Sequence, residues 1–126
     1  MRVGIVGSRH FVSPERVEAY VRSLPADAAV VTGSASGVDA AATRAARERG
    51  LPVRTLGASF EEARDDVVAA ARNQRLIDAC DVLVAFWDGV SGGTRRTVER
   101  ALDSGREVHV FVLPGAASAT PAPPAG

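Results

Sequence analysis

Lysine is missing from this 126-residue chain: all 15 basic residues are arginine. That excludes a Schiff base, a lysine general base and the phosphate-binding lysine of a P-loop. Abundant alanine, glycine and valine make a GC-rich coding bias the simplest origin of the gap, and the exclusions hold whatever the origin. Charge of one sign is also missing. The 15 acidic residues balance the arginines, which argues against a non-specific nucleic-acid coat and leaves room only for a local basic face. Cys80 is the single cysteine, so neither an intrachain disulfide nor a thiolate metal cluster is available. No apolar run approaches the roughly 18 residues of a membrane span. The apolar part of the N-terminus is too short for a signal peptide, and a cytoplasmic location is expected. Aromatic residues are few (Phe11, Tyr20, Phe60, Phe86, Trp87 and Phe111), and most fall at core-like positions.

What is present is ordinary for one globular domain, with 46% hydrophobic and 24% charged residues. Strand and helix signals alternate. Val3–Val6 is a short apolar run of the buried-strand type. Ser13 and Pro14 open a helix carrying Val17, Tyr20, Val21 and Leu24 at helical spacing, which Pro25 stops. Ala29–Thr32 reads as a second strand. A second helix runs from Val38 to Arg49, with an alanine-rich face suited to close packing on a sheet and Gly50 as its stop. Pro52–Leu56 is a third, shorter strand. Ser59 and Glu62 form a capping box for a helical stretch reaching about Ala79, with a break expected before Arg72. Asp81–Phe86 is a nearly all-apolar strand of the kind covered on both faces. Thr94–Ser104 and Val108–Val112 supply the last helix and strand. From Pro114 the chain is almost wholly Ala, Pro, Ser and Gly. Residues 114–126 are expected to form a disordered tail on a domain spanning 1–113.

Five strands alternating with helices imply an α/β sandwich: a Rossmann-like three-layer fold with a parallel sheet in the order 3-2-1-4-5. In such a fold the ligand crevice lies at the carboxyl ends of the strands, where the strand order reverses. Three small-residue loops fall there: Gly7-Ser8-Arg9-His10, Gly33-Ser34-Ala35-Ser36-Gly37-Val38-Asp39 and Trp87-Asp88-Gly89-Val90-Ser91-Gly92-Gly93-Thr94. Each is readable as a tight turn. Three on one sheet edge also suit an anion held by helix N-termini and closely approaching backbone. Arg95 and Arg96 follow in the first turn of the last helix, where a cation opposes the helix dipole unless an anion is bound. Arg9, and Arg72 with Asn73 at the expected helix restart, add donors suited to phosphate. Trp87 reads as a wall of the core or as a platform for a base. Asp39 and Asp88 are candidate partners for ribose hydroxyls.

Several enzyme signatures do not occur. Gly4-Ile5-Val6-Gly7-Ser8-Arg9 departs from the dinucleotide-binding G-x-G-x-x-G, and Gly33-Ser34-Ala35-Ser36-Gly37 has Ala35 where a nucleophile elbow has serine. His10 and His109 have no companions at metal-ligand spacing. No metal or cofactor is expected.

Taken in order, Gly7-Ser8-Arg9, Gly33 through Asp39, Arg72-Asn73 and Ser91-Gly92-Gly93-Thr94 resemble the SLOG superfamily. That group includes the DNA-processing protein A (Smf) family, the Lonely Guy phosphoribohydrolases and small stand-alone Rossmann-like proteins. The strand Val84-Ala85-Phe86-Trp87-Asp88-Gly89 with its following loop looks most like the stand-alone proteins. The resemblance covers about residues 2–113. It implies a nucleotide or nucleotide-derived ligand at the crevice, sensed or carried. Gly92, Gly93 and Thr94, with Ser91 and Arg95, would hold a phosphate. Gly7, Ser8 and Arg9 would line the opposite wall, with Gly33, Ser34 and Asp39 beside them, and Arg72 would match the arginine that lies against the substrate of the phosphoribohydrolases.

The hydrolases of the group carry glutamates after the glycine loop, whereas Arg95, Arg96 and Thr97 stand here. N-glycosidic cleavage, which needs a carboxylate near the sugar, would fall to Arg72 with Asp88 or Glu99. Single-stranded DNA binding is the third reading, and it requires a positive face with stacking aromatics. A homodimer is compatible with the resemblance, although no apolar stripe is left over in the sequence to mark its interface.

Overall fold

A computed structural model describes residues 1–7, 13–33, 37–56, 66–90 and 92–112, with backbone alone for 66–70. The elements are β1 (Arg2–Gly7), α1 (Pro14–Arg22), β2 (Ala29–Thr32), α2 (Val38–Glu48), β3 (Val53–Thr55), α3 (Asp66–Asp78), β4 (Val82–Trp87), α4 (Gly92–Asp103) and β5 (Glu107–Val112). All strand pairs are parallel and the order is β3-β2-β1-β4-β5. The Rossmann-like sandwich expected from the alternation is the fold observed.

Two apolar layers flank the sheet. On one face α1 and α2 pack on β1, β2 and β4 through Val17, Val21, Ala42 and Ala45 against Val3, Ile5, Val30, Val84 and Phe86. On the other, Leu76 and Ile77 of α3 and Ala101 of α4 pack against Val31 and Leu83. The central strands are apolar at nearly every position because both faces are covered: Leu83, Val84, Ala85 and Phe86 are all buried. The alanine stripe of α2 does what small side chains allow, bringing the helix close to the sheet, with Ala41, Ala42, Ala45 and Ala46 buried.

Arginine side chains close helix ends. Arg49, at the end of α2, turns Nη1 to the carbonyls of Val21 (3.4 Å), Arg22 (3.3 Å) and Leu24 at the end of α1. Arg106 Nε donates to the carbonyl of Ile77 at the end of α3, at 3.1 Å. Asp81 ties the amino ends of β1 and β4 together: its carboxylate accepts from Arg2 N at 2.8 Å and from Arg2 Nη2 at 3.1 Å. These hydrogen bonds hold its carboxyl below the ordinary carboxylate range.

Three expected boundaries shift. The helix containing Arg72 runs from Asp66 to Asp78 without a break, so Arg72 and Asn73 are mid-helix residues and not the start of a new helix. Nothing in Ala69-Ala70-Ala71-Arg72-Asn73-Gln74 breaks a helix, and the buried stripe at Leu76 and Ile77 continues it. Trp87 belongs to β4, paired in register with Val112. Gly92 and Gly93 belong to the first turn of α4 and not to the preceding loop. The capping box at Ser59 and Glu62, the boundary at residue 113 and the tail 114–126 lie outside the described residues.

Candidate functional site

The order reversal falls between β1 and β4, where Gly7 and Phe86 are register partners at the carboxyl ends of their strands. From there the chain leaves β1 toward α1 on one face and β4 toward α4 on the other. This divergence opens the crevice of a doubly wound sheet. Gly7, Gly33, Asp39, Trp87, Asp88, Gly92, Gly93, Thr94 and Arg95 all belong to strand ends or helix starts on this edge. Ser8, Arg9, Ser34 and Ser91 lie outside the described residues.

The three glycine sites differ in why they need glycine. At Gly7 the reason is packing: an added Cβ would lie 2.5 Å from Cβ of Val38, the first residue of α2. At Gly37, the N-cap of α2, it is conformation, since φ is +58° and ψ is −127°. At Gly93 it is neither. Among the described residues, no atom outside its chain neighbours and its own helix backbone lies within 4 Å of an added Cβ, and φ is not positive. At Gly92 an added Cβ meets only Arg96, the end of a flexible side chain at 3.4 Å. Two consecutive glycines thus begin a helix that alanine would favour by up to about 1 kcal/mol per residue. The first turn of α4 has no acidic residue, whereas α1 has Glu15 and α2 has Asp39 in theirs. Behind it Thr94 is buried, and the Thr97 hydroxyl donates to the Gly93 carbonyl at 3.0 Å.

The opposite wall is formed around Gly33. An added Cβ there would be 3.6 Å from Leu76 Cδ1 and 3.7 Å from Asp39 Oδ2. Asp39 is buried in the first turn of α2, where the dipole favours an anion. Arg72 and Asn73 are half-buried and stand one turn before Leu76 and Ile77 on the same stripe of α3. In a right-handed crossover the helix runs antiparallel to the strands, so one turn earlier is about 5.4 Å nearer the crevice edge. Arg72 thus stands on a helix flank, one turn nearer this end of the sheet than Leu76.

The carboxylates are occupied elsewhere. Asp88 Oδ1 accepts from Val90 N at 2.9 Å, closing the turn after β4. Glu99 pairs with Arg95 at 3.5 Å along the exposed side of α4, with both side chains more than half exposed. Arg96 and Glu99 lie with Gln74, Arg100 and Asp103 along a groove between α3 and α4, a feature the sequence did not signal because it needs two helices side by side. Among the described residues no three His, Cys, Asp or Glu side chains gather as metal ligands, and no helix is long and apolar enough to cross a membrane.

Fold and crevice define a class: a doubly wound α/β sandwich with its glycine-rich edge at the topological switch. Within that class the chain is similar to the crystal structure of DNA processing protein A from Streptococcus pneumoniae. The TM-score is 0.74 at 23% identity, over 86% of this chain and 49% of that one. The chain thus spans about half the length of that protein and shares its fold. No protein-family model and no curated protein matches the sequence.

Proposed function

We propose that the chain binds a nucleotide or nucleotide-derived phosphate at the crevice between β1 and β4, as a sensor or carrier. The observation that carries this reading is the start of α4. Gly92 and Gly93 are required by neither packing nor backbone conformation, they open a helix with no acid in its first turn, and two arginines follow at once. The glycines let a ligand approach the backbone closely, and a phosphate on the exposed N–H groups supplies the missing negative charge and makes the arginines favourable where they otherwise oppose the dipole. The Gly93 and Thr94 amides hold the phosphate, with Ser91 and Arg95 beside them. Gly7, Ser8, Arg9, Gly33, Ser34, Asp39, Arg72 and Asn73 line the remaining walls, and Trp87 with Asp88 closes the side toward β5.

Binding is preferred to hydrolysis because both candidate acids have other work. Asp88 holds the turn to Val90, and Glu99 pairs with Arg95 on the outer side of the helix. The structural relative is named for DNA processing, and single-stranded DNA offers the same phosphate chemistry. Stacking platforms favour DNA only if aromatic faces are free. Here Tyr20, Phe86 and Phe111 are engaged with one another at centroid distances of 5.2–6.0 Å.

Thermal unfolding with nucleoside monophosphates, cyclic nucleotides, ADP-ribose and a short labelled single strand tests the assignment. A mononucleotide that raises the melting temperature with saturation, and without release of free base, supports it. Free-base release indicates the hydrolase, and salt-dependent binding confined to the single strand indicates DNA. No shift with any mononucleotide at millimolar concentration overturns the proposal.

A further inference from the structure

The groove between α3 and α4 encloses about 390 Å³ and is lined by Gln74, Arg96, Glu99, Arg100, Asp103 and Ser104. One end of it is the start of α4. The guanidinium of Arg96 folds back over the first turn of that helix, with Nη1 3.4 Å from where a Cβ on Gly92 would stand. From there the groove follows α4 away from the crevice edge toward Asp103, the last residue of the helix.

The charges along it are unmatched at the crevice end. Arg96 and Arg100 are one turn apart on the same side of α4, a like-charge pair that destabilises a bare helix. Glu99 lies between them in sequence but pairs with Arg95 at 3.5 Å. Neither Arg96 nor Arg100 makes an ion pair among the described residues. Arg100 is instead set from across the groove. Its Nη1 approaches Gln74 Oε1 at 3.5 Å, while Gln74 Nε2 donates to Asp78 Oδ1 at 2.9 Å. The Asp78 carboxylate thereby fixes which way the Gln74 amide points and turns its oxygen to Arg100. The remaining donors of the Arg100 fork suit a phosphate.

We propose that this groove takes a second phosphate of the crevice ligand, so that the ligand is a nucleoside 3′,5′-bisphosphate. The inference rests on the crevice reading. The 5′-phosphate sits on the start of α4, Arg96 lies between the two anions, and Arg100 holds the 3′-phosphate. Arg96 and Arg100 are rooted about 6 Å apart along the helix axis. A ribose between two phosphates spans such a step, whereas the adjoining phosphates of a diphosphate fall short of it. The groove also limits the ligand. Asp103 stands one turn beyond Arg100 and makes no ion pair among the described residues. Its carboxylate repels a third phosphate, so the positive stretch is two residues long. A nucleic-acid strand, charged at every step, would carry its next phosphate onto Asp103.

Calorimetric titration of the whole chain with the 5′-monophosphate, 5′-diphosphate and 3′,5′-bisphosphate of each common nucleoside is the test. For the preferred base the bisphosphate binds tenfold or more tightly than the monophosphate, and the diphosphate gains less. Arg100→Ala and Gln74→Glu, the second of which offers Arg100 a carboxylate in place of the phosphate, each remove the gain. Arg100 is exposed, and the melting temperature of each unliganded variant checks its fold. Should Gln74→Glu fail to fold, Arg100→Ala decides the question. Equal affinity for monophosphate and bisphosphate overturns the groove and leaves the crevice reading standing. A gain that survives Arg100→Ala overturns it as well, since the second phosphate then lies elsewhere, and so does a trinucleotide that binds wild type more tightly than the bisphosphate. Binding by none of the compounds overturns the crevice reading and this inference with it.

Discussion

Gly7 and Val38 occupy one another's space: a Cβ on Gly7 would sit 2.5 Å from the Cβ of Val38, where the last residue of β1 passes beneath the first residue of α2. Neither strand nor helix can retreat, since Ile5 and Ala42 beside them are wholly buried. Gly7→Ala is therefore expected to destabilise the fold by about 1–3 kcal/mol, measured by denaturant unfolding. Adding Val38→Ala in the same chain should recover part of the loss. A Gly7→Ala variant as stable as wild type would show that α2 can lift from the sheet.

Gly93→Asp separates stability from binding. The position has open space for a side chain, and a carboxylate in the first turn of α4 is favourable to the dipole by about 0.3–1 kcal/mol. The unliganded variant should melt at or slightly above the wild-type temperature while losing the shift given by a mononucleotide, through charge and bulk. Unchanged affinity would move the phosphate away from α4.

Arg49 makes a structural use of one guanidinium nitrogen, Nη1. Its side chain reaches three carbonyls at the end of α1 from the end of α2. Arg49→Ala should cost about 1–2 kcal/mol. Arg49→Lys should restore part of it, because an ammonium also offers several donors from one nitrogen but on a shorter, more flexible stem. Chemical denaturation of the three proteins measures the order.

Asp81 supplies a pH dependence of known sign. Hydrogen bonds from the Arg2 side chain and backbone lower its pKa from the ordinary value of 3.8. The folded state thus binds the proton more weakly than the unfolded state. The associated stability is present above 3.8 and is lost as pH falls through the lower, folded value. The melting temperatures of wild type and Asp81→Asn should differ at neutral pH and converge on acidification through that window. A difference that persists after Asp81 is protonated would assign it to packing.

Cys80 should react with a thiol reagent only when the chain unfolds. It is fully buried, and burial raises its thiol pKa above the ordinary 9.0, which disfavours the reactive thiolate. Rapid labelling under native conditions would reveal an opening of the α3–β4 corner.

Much of the fold was legible because its signals are local. Runs such as Val82-Leu83-Val84-Ala85-Phe86 can only be strands covered on both faces, and Pro14, Pro25 and Gly50 bound their helices by backbone chemistry alone. Alternation of the two element types then narrows the parallel orders to a few, since right-handed crossovers leave few paths, and the expected β3-β2-β1-β4-β5 is the one observed. The sequence also determined which loops share the crevice edge.

Only tertiary structure decided what individual residues are for. Gly7 resembles a ligand-loop glycine until Val38 is seen against it, and Gly93 stands out only once nothing is found near it. Asp88 and Glu99 are equal candidates as acids until one closes a turn and the other pairs with Arg95. The apolar edge at β5 was invisible for the same reason. Val108-His109-Val110-Phe111-Val112 reads simply as one more strand, because periodicity reports which residues alternate and not whether a neighbour covers them. Coverage is a property of contacts between distant segments, and among the described residues the last strand of this sheet has a neighbour on one side only.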